Sequence, residues 1–227
     1  MAGSNMYGAL LYKEWIKIRW VLLIVSLVTC WTLIQLFLQV REFFEFMEPI
    51  AVWSDVVHRK AVFYSGIEYN AVVAGVGIAL IQFIPETVKR RLRLLFHLPI
   101  QQNRALYFMM ATGLACTLFV VALNVAGLLA IVASRFPAEL VWSAVVTSAP
   151  WLFAGVVAYF ATVLVVVEPL AWRKCTYAAL SFGLVQLFFN GSGYETYAHS
   201  FWSYALLGGL FSLTIVLPAF RFKRGIN

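Results

Sequence analysis

Charge is absent from six long stretches of this chain: 20–40, 69–85, 105–134, 140–167, 175–194 and 196–220. They hold 21, 17, 30, 28, 20 and 25 residues. Crossing the hydrocarbon core of a bilayer as a helix takes about 20 predominantly apolar residues. Five stretches qualify directly, and the short second one extends outward through apolar 61–64, past Glu68. The pattern therefore predicts an all-α polytopic membrane protein, one transmembrane domain over 1–227, with spans at 20–40, 62–84, 105–133, 140–167, 175–194 and 200–220.

Composition removes the alternatives. With 63% hydrophobic and 12% charged residues and a mean hydropathy of +0.85, a soluble domain of 227 residues would lack a wettable surface. An aromatic content of 16% excludes disorder. The three cysteines, Cys30, Cys116 and Cys175, are scattered, which excludes a disulfide scaffold, a metal knuckle and a redox dithiol. Residues 1–19 are too polar for the apolar core of a cleavable signal, so 20–40 is expected to remain as an anchor.

Basic residues orient the bundle. Six spans place both termini on one side, together with the connections after spans two and four. That side carries Lys13, Lys17, Arg19, Lys89, Arg90, Arg91, Arg93, Arg104, Arg173, Lys174, Arg221, Lys223 and Arg224. The other side holds only Arg41, Arg59, Lys60 and Arg135. By the positive-inside rule both ends are expected in the cytoplasm. The stretch 41–60 mixes Phe43, Phe44, Phe46 and Trp53 with Glu42, Glu45, Glu48 and Asp55. It reads as an outer segment lying at the interface.

Little reactive chemistry is visible. No P-loop string occurs, the three histidines stand alone, and Ser192 between two glycines lacks a strand–elbow–helix context. No catalytic, cofactor-binding or metal-binding residue is predicted, and nucleic acid is not an expected partner. Polar groups near span interiors are few: Glu68, Asn124 and Gln186 are the candidates for a substrate pathway. Glu68 equally suits an anchor at the outer headgroup level beside Tyr64 and Tyr69. Asn124 and Gln186 need partners in lipid in any case. Ala71, Gly75 and Ala79 form a small-residue face in span two, Gly208 and Ser212 repeat it in span six, and Pro150 and Gly155 are candidate kinks in span four.

Two segments hold more pattern than topology requires. In 8–19, Leu11, Trp15 and Ile18 share a helical face and Lys13 and Lys17 form its basic edge. This spacing predicts an amphipathic helix in the inner headgroup layer. In 86–98, Val88, Leu92, Leu95 and Phe96 lie at i, i+4, i+7 and i+8, with Pro85 ahead and Pro99 closing. Those residues, with Leu98, predict a short cytoplasmic helix whose apolar stripe fits a partner protein or, held by its basic residues, an anionic lipid surface.

Together these motifs resemble the permease subunits of type-2 ABC exporters. Lys13-Glu14-Trp15 followed by Lys17 matches their N-terminal elbow. Glu86, Leu92-x-Leu94-Leu95, Leu98-Pro99 and Arg104 match their first cytoplasmic loop, with Arg90 and Arg91 standing where a small residue is common. The resemblance is loose over the whole chain and close over about 35 residues. It implies a multi-pass protein of the bacterial plasma (inner) membrane and a separate ABC ATPase subunit docking on Glu86, Val88, Leu92, Leu95, Phe96, Leu98 and Pro99. It implies a second permease subunit, identical or similar, with ATP and magnesium bound only by the ATPase. The competing expectation is a membrane scaffold or accessory subunit that moves nothing.

Overall fold

A computed structural model describes residues 2–46, 62–88, 102–191, 195–197 and 199–214. It is all-helical over them: α1 (Ala2–Phe46), α2 (Asn70–Val88), α3 (Gln102–Ala133), α4 (Ala138–Val167), α5 (Ala171–Gln186) and α6 (Phe201–Leu213), with a 3-10 turn at Ser65–Ile67. Among the described residues, four helical segments are long and apolar enough to cross a membrane: Tyr7–Phe46, Ser65–Val88, Leu106–Ala133 and Ala138–Val167. At 1.5 Å per residue, the 16 residues of α5 reach about 24 Å, short of a hydrocarbon core of about 30 Å. The expected span at 175–194 overlaps α5, which begins four residues earlier and gives way to turns at 187–189. Within the described residues α6 has 13 residues, below the length a crossing needs.

The predicted junction between an elbow at 8–19 and a span at 20–40 is absent. α1 is one helix of 45 residues that also takes in the first six residues of the expected outer segment. Its buried positions explain the continuity. Leu10, Glu14, Ile18, Val25, Thr29, Leu33, Leu36 and Val40 recur at steps of three, four or seven, a single inward stripe with no change of phase. A chain that keeps one face against its neighbours over about eight turns has no reason to bend. The rest of the expected outer segment, from 47 onward, lies outside the described residues.

α4 is the centre, touching α2, α3, α5 and α6. Its inward positions include the small residues Ser143, Ala144, Ala154, Gly155, Ala158 and Ala161, which let its backbone lie close to its neighbours. The tightest approach is to α2, where the expected small face is realised. Ala71 and Ala79 are fully buried, a Cβ on Gly75 would run into the Gly155 carbonyl, and a Cβ on Gly155 would stand 2.5 Å from the Ala71 carbonyl oxygen. Gly155 is therefore a crossing point. α4 continues through Pro150, where Thr147 Oγ1 donates to Ser143 O (2.8 Å) and Ser148 Oγ to Val145 O (3.1 Å). Gly208 of α6 packs against the side chains of Val157 and Phe153.

Candidate functional site

The inward stripe of α1 carries one charge, Glu14, with no exposed surface. The sequence grouped Leu11, Trp15 and Ile18 on the apolar face of a helix in the inner headgroup layer. In the structure Leu11 and Trp15 are about half-exposed, and Leu10, Glu14 and Ile18 are buried. The reason lies in the solvent. Where lipid surrounds a helix, apolar residues can face outward, and a carboxylate is the group that must turn inward to a partner.

Its partners come from the last turns of α2. Gln82 and Glu86 are four residues apart on one face, and both are fully buried. Lys17 Nζ donates to Glu14 Oε1 at 2.7 Å and to Glu86 Oε1 at 2.5 Å. Lys13 Nζ reaches the same Glu86 oxygen at 2.8 Å and stands 3.9 Å from Glu14. The four charges sum to zero. Gln82 Nε2 donates to Glu14 Oε2 (3.2 Å) and to the Met109 carbonyl of α3 (2.7 Å). The Tyr159 hydroxyl of α4 lies 2.9 Å from Gln82 Oε1 and 3.1 Å from the Met110 carbonyl, one proton between two acceptors. Gly113 keeps the space clear, since a Cβ there would collide with Gln82 and Tyr159. One polar network thus joins α1, α2, α3 and α4. Glu86 Oε2 alone within it has no hydrogen bond among the described residues.

Such a network links motifs that are about seventy positions apart in sequence. Lys13, Glu14 and Lys17 were read as an elbow, and Glu86 as the first turn of a separate coupling helix begun by Pro85. Here Pro85 and Glu86 lie inside α2, which runs to Val88. Proline has no N–H, so the helix gives up the bond to the Ile81 carbonyl at this point and still continues. Val88 is 75% exposed, while Glu86 faces the bundle. The remaining coupling residues, Leu92, Leu95, Phe96, Leu98 and Pro99, lie outside the described residues.

The three pathway candidates do not converge. Glu68 is partly exposed in the turn before α2, and Gln186 is exposed at the end of α5. Asn124 is buried, and finds the partner it needs: its Oδ1 accepts from Asn70 Nδ2 (3.1 Å), and its own Nδ2 donates to Val120 O (2.9 Å). Asn70 Nδ2 also lies 2.6 Å from Thr32 Oγ1, so α1, α2 and α3 are tied by a second, uncharged network. Among the described residues no cluster of His, Cys, Asp or Glu could hold a metal.

Gln82, Tyr159 and Gly113 were missed. Gln82 had a signal, one turn before Glu86 on an otherwise apolar helix; Tyr159 and Gly113 had none, being ordinary residues of apolar stretches. Their weight is testable. Tyr159→Phe leaves Gln82 Nε2 bonded twice but takes the donor from the buried Gln82 Oε1, so a loss of about 1–3 kcal/mol is expected. Gln82→Leu takes three bonds at once, those to Glu14 Oε2, the Met109 carbonyl and Tyr159, and should cost more. Thermal unfolding of the detergent-solubilised protein by intrinsic fluorescence reads both; a Tyr159→Phe loss equal to that of Gln82→Leu would contradict this ordering.

No family model, no curated protein and no solved structure matches the chain.

Proposed function

We propose that the chain is the permease subunit of an ATP-driven exporter, with six spans and both termini in the cytoplasm of a bacterial plasma membrane. In this reading α5 and α6 belong to the last two spans, and the segment from Glu86 to Pro99 meets a separate ABC ATPase. A second permease subunit completes the pathway, and ATP and magnesium stay with the partner.

One observation carries the reading: the buried Lys13–Glu14–Lys17–Glu86 cluster at the end of α2. A subunit driven by an external engine needs a stiff connection between the loop that receives the push and the helices that move. Two lysines of α1 clamp the last turn before that loop, and Gln82 passes the connection to α3 and α4. A displacement of the loop would act on four helices at once. The 13-to-4 distribution of basic residues supports the orientation.

The test is co-purification with the ATPase and its activity. Leu95→Ser with Phe96→Ser should release the ATPase, because burial of each side chain is worth roughly 1.5–3 kcal/mol. Neutralising Lys89 and Arg90 should weaken the complex less, and chiefly at low salt, since exposed pairs contribute about 0–1 kcal/mol. Retention of a fully active ATPase by the double-serine variant would defeat the proposal.

A further inference from the structure

The outer flank of α1 holds a cleft of about 380 Å³, a volume ordinary for a ligand site. One end is lined by Trp15, Arg19 and Trp20, the other by Leu22, Leu23 and Ser26 with Phe119 of α3. From Trp15 to Ser26 is eleven residues, about 16 Å along the helix. The cleft is therefore polar and aromatic at one end and apolar at the other.

Arg19 differs from the lysines beside it. Lys13 and Lys17 are engaged by Glu14 and Glu86, but no ion pair engages Arg19 among the described residues. Its guanidinium stands 5.4 Å from the Trp20 ring centroid, and both Arg19 and Trp20 are exposed. Arg19 also ends the charge-free stretch 20–40, whose 21 residues extend about 31 Å, one hydrocarbon thickness. Tryptophan is favoured at that boundary, and a guanidinium forks onto phosphate oxygens.

The geometry points to a binding site for one anionic phospholipid, its phosphate on Arg19 between Trp15 and Trp20 and an acyl chain along Leu22, Leu23 and Phe119. A positive head over an apolar trough complements an anionic amphiphile at both ends. A zwitterionic lipid brings its own cation to Arg19, and a free phosphate leaves the trough empty. The site rests on α1 crossing the membrane and is independent of any ATPase.

Native mass spectrometry of the full chain, purified in uncharged detergent and supplied with dioleoyl phosphatidylglycerol or dioleoyl phosphatidylcholine, reads occupancy directly. One phosphatidylglycerol should be retained in preference to phosphatidylcholine. Arg19→Gln should weaken it about fivefold, the worth of one basic residue at an anionic surface, and Arg19→Lys should recover most of the loss. Ser26→Trp, which fills the trough without touching charge, should also displace the lipid while the helical circular dichroism stays unchanged. The proposal is overturned if phosphatidylcholine is retained equally, if Arg19→Gln and Ser26→Trp both keep the lipid, or if glycerophosphoglycerol without chains competes as well as the lipid. It is equally overturned if Ser26→Cys or Phe119→Cys cross-links two chains in place of lipid, since the cleft would then hold a second copy.

Discussion

Lys17→Met is expected to lower the thermal midpoint of the solubilised protein by roughly 6–20 °C. Lys17 is the member of the buried cluster that bonds both carboxylates, at 2.7 and 2.5 Å, and its side chain is 14% exposed against 37% for Lys13. Removing it leaves two fully buried carboxylates with one partly solvated lysine. Breaking a buried pair by deleting one partner costs about 3–5 kcal/mol, and for a chain of this size each kcal/mol moves the midpoint about 2–4 °C. Lys13→Met should cost clearly less, because Lys13 touches only Glu86 at short range and water already screens it. The sign of the argument is checked by Lys17→Met with Glu86→Met. That double variant removes one charge of each kind and leaves Lys13 facing Glu14, so it should be more stable than Lys17→Met alone. A double variant no better than the single would mean that packing of the lysine stem, and not its charge, holds this end together.

The second large effect is expected at the α2–α4 crossing. Gly155→Ala places a methyl group 2.5 Å from the Ala71 carbonyl oxygen and 2.6 Å from the Ala71 Cβ. Backbone cannot rotate away as a side chain can, so the helices must separate and loosen Ala71, Gly75 and Ala79 together. Overpacking typically costs about 1–3 kcal/mol, and a backbone clash belongs at or above the upper end. Gly183→Ala is the control. It changes a glycine of α5 with nothing within 4 Å of the new Cβ, so the smaller entropy of the unfolded alanine chain should make it neutral or more stable by up to about 1 kcal/mol. Unfolding midpoints of the two variants are compared under identical detergent. Equal behaviour would place the tight contact elsewhere.

The cluster and the crossing differ in how far they could be read from the chain. Ala71, Gly75 and Ala79 announce a packing face because a four-residue step of small side chains is a property of one helix. That Gly155 is their counterpart on α4 could not be read, since α2 and α4 meet about eighty positions apart. Glu14 and Lys17 are legible as a local i, i+3 pair, but their junction with Glu86 is not. The side of α1 that packs against protein was not legible for a related reason. Periodicity locates an apolar side of a helix without saying whether lipid or protein lies against it. Leu11 and Trp15 face outward, and the carboxylate between them and Leu10 turns in.

Sequence alone determined the all-helical character, the positions of the long apolar helices to within a few residues for α3 and α4, and the scarcity of polar groups between them. These follow from local quantities: the length of a charge-free run and the spacing of small or charged side chains within a few turns. Tertiary structure alone decided that α1 runs unbroken through Trp20, that α2 continues through Pro85 to bury Glu86, and that Gln82 and Tyr159 extend the ion cluster across the bundle. Each depends on what stands opposite. Lys17 satisfies two carboxylates, from α1 and α2, and Gln82 exhausts its amide on α1, α3 and α4. The energy of burying a charge is set by distances between helices, which no single helical period encodes.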